Sequence, residues 1–175
     1  MTYWERIVST LASEFSDIPD VEEATRVITR LTVAAVLGGL VGYERERKGK
    51  AAGLRTHMLV SLGSALFVLT ALQGGVPRDD ISRVMQGIVT GIGFLGAGTI
   101  LKGSTIQEVQ GLTTAAGIWL TAAIGVAAGL GNEATAVFST LLALAVFILM
   151  PGLERHAARH ARQRRKRRRA PQDAP

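Results

Sequence analysis

Glu44 and Glu46 close one apolar stretch of this chain and Asp80 opens another. Carboxylates so placed could coordinate a hard cation. A path for such a cation should gather several oxygen ligands at one depth. Glu44, Glu46 and Asp80 are the candidate metal residues. Glu44, Arg45, Glu46 and Arg47 alternate in sign. On a continuing helix Glu44 faces Lys48 and Glu46 faces Lys50. Two readings stay open: a solvated helix end, or a vestibule whose acids attract cations.

Arg30 lies fourteen residues before Glu44, which on a helix is roughly 20 Å up an apolar core roughly 30 Å thick. An arginine at that depth must snorkel or find a partner. Asp79 and Asp80 are the first candidates for that partner and Glu133 the third. His156 and His160 have the spacing of two metal ligands on one turn, but Arg155 and Arg159 would repel a cation and no acid or cysteine stands near. There is no cysteine at all, so disulfides and thiolate metal sites are excluded. No Ser/His/Asp set, paired acids or zinc motif appears, and His57 has no nucleophile beside it; the chain is not expected to be an enzyme.

Gly91, Gly93 and Gly96 spell G-x-G-x-x-G. A dinucleotide site needs that pattern between a strand and a helix, and here it lies inside an apolar run. Helix packing is the better reading: Gly38 with Gly42, Gly87 with Gly91, and Gly125 with Gly129 repeat the small-xxx-small spacing that lets backbones touch. The density of Gly91, Gly93, Gly96 and Gly98 also fits a kinked span lining a polar cavity.

The elements that must carry these residues are apolar runs long enough to cross a bilayer, which takes about 17–25 residues each. Five are expected, near 27–43, 57–74, 84–101, 111–129 and 134–150. Asp20 should cap the first helix and Asp79 or Asp80 the third. Turns are expected at 49–53, 74–77, 103–105 and 129–132, and Pro151 with Gly152 should end the fifth span. The fold class is all-α integral membrane, with a short amphipathic N-terminal helix over 1–23, a membrane domain over 24–152 and a basic tail over 153–175. Thr2 and Glu5 have capping-box spacing, and the six acids before residue 24 are unlike the cationic start of a signal peptide.

Glycine numbers 20 among 175 residues and aromatics only 5%, a composition suited to close-packed membrane helices. The net charge of +6 is local: from Glu154 onward nine Lys and Arg stand against two acids. Lys and Arg near span ends stay in the cytoplasm. With five spans, the basic 44–55 loop and the tail fall on that side and the acidic leader falls outside. Arg162, Arg164, Arg165, Lys166, Arg167, Arg168 and Arg169 then read as an anionic-lipid contact. Nucleic acid is disfavoured because no stacking aromatics are interleaved.

These segments, in this order, resemble the membrane domain of the MgtC/SapB family. The matching stretches are Arg30-Leu31, the run from Leu37 through Gly42 to Glu46, Ala52 through Arg55 and Thr56 to His57, and Leu59 to Ala65. After these come Asp80 with Arg83, Gln86, Gly91 to Gly98, and Gly111 to Ala116 with Trp119. The resemblance implies a bacterial inner-membrane protein associated with magnesium homeostasis and growth at low magnesium, in a family often labelled magnesium transporters. Some members are virulence factors that support survival inside macrophages, and one is linked to inhibition of the membrane ATP synthase. Carried over by motif, the family's polar positions are Arg30, Glu44, Arg45, Glu46, Arg55, Thr56, His57, Asp80, Arg83 and Gln86. The intramembrane polar network expected here is Arg30, Arg45, Arg55, Thr56, His57, Arg83 and Gln86 around the three acids. Met85 and Gly87 depart from the usual residues beside Gln86, and Arg/Lys repeats stand where longer members carry a soluble domain. The expected role is regulatory, through contact with another membrane complex; a transporter or channel for magnesium or another cation, using intramembrane carboxylates, is the alternative, with Mg2+ the one cofactor the resemblance implies, and the glycine faces allow a homodimer.

Overall fold

The structure is a computed structural model that describes residues 2–14, 16, 20–102 and 109–169, with the backbone alone described at 101–102, 109 and 153–169. Its elements in chain order are α1 (Tyr3–Glu14), α2 (Val21–Arg47), α3 (Leu54–Gln73), a 3-10 turn (Arg78–Asp80), α4 (Ile81–Ala97), β1 (Leu101–Lys102), β2 (Val109–Gln110), α5 (Leu112–Gly129) and α6 (Glu133–Arg169). The two strands are a single antiparallel ladder, Leu101 opposite Gln110 and Lys102 opposite Val109.

Among the described residues, four helices are long and apolar enough to cross a membrane: α2, α3, α5 and the 133–152 part of α6. The apolar α4, with 17 residues, stands at the short edge of the spanning range of about 17–25. Each expected span thus has its helix, and the fold is that of an all-α, multi-pass membrane protein. Leu59, Phe67, Phe94, Phe138, Leu142 and Ile148 point outward, which is stable where lipid, not water, is the solvent.

Close backbone approach holds the centre together. Gly38 lies so near α3 that a Cβ there would fall 2.6 Å from the His57 carbonyl and 2.7 Å from Ser61 Cβ. On the other side of α3, a Cβ at Gly125 would strike the Ser61 carbonyl, and one at Gly129 would fall 2.7 Å from the Ala65 carbonyl. α3 is therefore clasped between α2 and α5 by small residues on both, as small-xxx-small packing requires. Ala34, Leu37 and Val41 of α2, Ala65 of α3, Ile124 and Ala128 of α5 and Ala136, Ala143 and Phe147 of α6 fill one core cluster. Val60, Val68, Ile88, Ile118, Ala122 and Val126 fill a second, between α3, α4 and α5.

The local signals act as capping chemistry predicts. Asp20 accepts from the Glu23 amide at 2.8 Å, and Thr2 and Glu5 exchange the two bonds of a capping box. Two expectations are corrected. Neither Asp79 nor Asp80 caps α4 through its side chain; the two form a 3-10 turn instead. Pro151 does not stop the last helix, which runs through it to Arg169; its missing N–H forfeits one bond to the carbonyl four residues back. α4 is unbroken despite its glycines. The turn expected at 103–105 lies outside the described residues.

Candidate functional site

Two polar centres sit at opposite ends of the helix cluster. At the end marked by the Gly49 turn, Glu44 and Arg45 are 8% and 3% exposed. Arg45 Nη1 lies 3.5 Å from Glu44 Oε2, and the guanidinium carbon lies 4.4 Å from the centroid of the Phe147 ring on α6. A charge in an apolar medium is expensive, and the carboxylate and the π-face together offset it. His57 of α3 is fully buried, with Nδ1 2.9 Å from the Gly53 carbonyl. A carbonyl only accepts, so Nδ1 carries the donated proton, which leaves Nε2 facing Gly117 of α5 (a Cβ there would lie 3.5 Å away). Both Glu44 oxygens, Arg45 Nε and Nη2, His57 Nε2 and Ser61 Oγ lack hydrogen-bond partners among the described residues. The centre is thus a neutralised but under-bonded charge cluster contributed by α2, α3, α5 and α6.

At the other end Arg30, its side chain 15% exposed, donates from Nη1 to the Gly129 carbonyl at 3.1 Å and lies 3.9 Å from Glu133 Oε1. It caps the C-terminus of α5, where the helix dipole favours a cation. Gly131 permits this twice over. Its φ of +82° turns the chain, and a Cβ there would run into the Arg30 guanidinium. The partner is therefore Glu133 with a helix end. Asp79 and Asp80 are exposed in the turn before α4.

The remaining predicted residues are dispersed. Glu46 is exposed, and its Oε2 accepts from the Leu54 amide at 2.8 Å, starting α3. Arg55 is exposed and Thr56 half-buried; Asp80, Arg83 and Gln86 are exposed at the start of α4. The solvated-end reading therefore fits Glu46 and Arg47 but not Glu44 and Arg45. The three candidate metal residues do not converge, and no group of three or more His, Cys, Asp or Glu able to hold a metal exists among the described residues. The glycines divide as well. Gly38 and Gly42 are filled by α3, and Gly96 meets Ala115 of α5. Gly98 lies 3.3 Å, as its Cβ would, from the Leu95 carbonyl. Gly87, Gly91 and Gly93 meet nothing within 4 Å. The side chains of the Arg/Lys tail lie outside the described residues. Sequence reading missed Phe147 and Ser61, whose contacts come from other helices and leave no spacing signal.

The MgtC family profile matches residues 31–156. The chain belongs to the MgtC family. This MgtC-family chain is 46% identical over 130 residues to YhiD of Escherichia coli strain K12, covering 69% of this chain and 60% of that one. It is 43% identical over 132 residues to SrpB of Synechococcus elongatus, covering 67% and 72%. It is 42% identical over 123 residues to MgtC of Salmonella typhimurium strain LT2, covering 70% and 52%. It thus spans a little over half the length of YhiD and of MgtC. No solved structure matches it.

Proposed function

We propose that this chain is a non-enzymatic inner-membrane protein of magnesium homeostasis that acts by helix contact with another membrane complex. The observation that carries the reading is the outer face of α4. Every glycine that the fold uses for its own packing is filled by a neighbouring helix, whereas Gly87 and Gly91 stand open beside Gly63 of α3, which also meets nothing. With Leu59 and Phe67 they line an apolar cleft of about 470 Å3. Small residues on an exposed helix are what an apolar transmembrane partner helix needs for close approach. The names of the relatives supply the biological setting: YhiD carries a provisional magnesium-transporter name, and the family takes its name from MgtC. In this reading the N-terminus is outside, and the cytoplasmic tail grips anionic lipid through Arg162 and the basic residues after it.

The chain has no cysteine, so Gly91→Cys gives a single, clean cross-linking handle. In cells starved of magnesium it should form a cross-linked adduct with another membrane protein. A handle at Phe138→Cys, on the lipid-facing side of α6, should not. Equal adducts at both positions, or none at Gly91→Cys, would remove the reading.

Cation transport is the second reading, and Glu44 is what favours it: a buried carboxylate whose two oxygens have no hydrogen-bond donor. Its charged neighbour among the described residues is Arg45, and the other acids stand elsewhere, which suits transport less well.

A further inference from the structure

We infer that a cleft at the start of α5, separate from the charged cluster and from the α4 face, binds a phosphoryl anion. The cleft encloses about 460 Å3 between Gly49, Lys50 and Ala51 of the α2–α3 turn and Gly111, Thr113 and Thr114. That is room for a phosphate together with a small organic group.

The start of α5 wants an acceptor that no described side chain supplies. α5 is 18 residues long, and no side chain caps its first turn, so its leading amides and the positive end of its dipole are turned out at this point. A capping residue cannot be fitted there. Gly111 has φ +92°, and any Cβ there would run into the Thr99 carbonyl. Helix starts of this kind take anions through their backbone amides.

The second observation is Thr114, which lines the cleft and is only 4% exposed. The buried threonines deeper in the helices, Thr121 and Thr140, spend their hydroxyls on the carbonyl four residues back, at 2.8 Å each. Thr114, in the first turn, has no such bond, and its hydroxyl has no partner among the described residues. The Thr114 hydroxyl, the α5 amides and Lys50 border the cleft from different elements. Among the described residues no carboxylate lines it, and the nearby Glu46 is engaged by the Leu54 amide. Several donors around one point suit a tetrahedral anion with several acceptor oxygens. Such a group can belong to a soluble phosphate compound or to a lipid headgroup.

The purified full chain in nanodiscs separates these sources. In zwitterionic lipid, inorganic pyrophosphate is titrated calorimetrically. In a second arm, retention of phosphatidylglycerol is read by native mass spectrometry. Thr114→Val and Lys50→Gln should each weaken binding about tenfold, the worth of one hydrogen bond to a charged group, and Thr114→Ser should restore it. Weakening in the first arm assigns a soluble ligand, and weakening in the second alone assigns a headgroup. Lys50 is on an exposed turn, so its variant decides the matter even where Thr114→Val perturbs folding. No saturable binding in either arm, or binding indifferent to Lys50→Gln as contact with the tail arginines would be, overturns the inference.

Discussion

Arg45 and Glu44 are neighbours in sequence, and neighbours on a helix do not normally face each other. They meet here because both are driven inward, Arg45 over Phe147 and Glu44 beside it. A buried pair is costly to half-remove, since the surviving charge stays desolvated. Glu44→Gln or Arg45→Met alone should therefore lower stability in detergent by about 3 kcal/mol each, and the double variant should cost clearly less than their sum. Unfolding curves read this directly, and strict additivity would mean that the two charges do not interact. The family resemblance placed Glu44 and Arg45 in a polar network, but their burial was not legible in the residues alone. The alternating signs look the same on a solvated helix end, and the aromatic that receives Arg45 lies on a helix about a hundred residues further along. Arg30 was half legible. Its depth follows from helix rise alone, but its partners depend on where α5 ends and α6 begins in space.

At the scale of elements, the spans were legible because apolar length is a local property, and lipid imposes it on each helix separately. So were Asp20 and the Thr2–Glu5 box, whose bonds close within a single turn. The glycine motifs were visible but could not be sorted. Small-xxx-small spacing says that a helix comes close without saying which helix. The structure separates Gly125, against the Ser61 carbonyl, from Gly87, against open space. Gly125→Ala should therefore destabilise the fold by about 2 kcal/mol, because the methyl meets backbone and not a yielding side chain. Gly87→Ala should be neutral or stabilising by up to about 1 kcal/mol, from helix propensity alone. Denaturant titration of the two variants side by side checks the pair, and equal losses would mean that the α4 face is packed after all.

The whole molecule is three helices locked by backbone contact, α2, α3 and α5. α6 adds the ring that shelters Arg45, and α4 is held along the line of Ile81, Ile88 and Gly96 with its glycine side left outward. A protein that moved magnesium by its own carboxylates would be expected to bring them together. Here Glu44 is spent on Arg45 and Glu46 on the start of α3, while Asp80 stands in the turn before α4. The surface proposed for partner contact is instead an outer one that mutation can fill without disturbing the core. The most direct measurement is growth at limiting magnesium of cells whose only copy carries Gly87→Leu and Gly91→Leu, at membrane levels matched to the unaltered protein. The account predicts that growth is lost although the variant folds and inserts. Growth equal to that of the unaltered protein would contradict it.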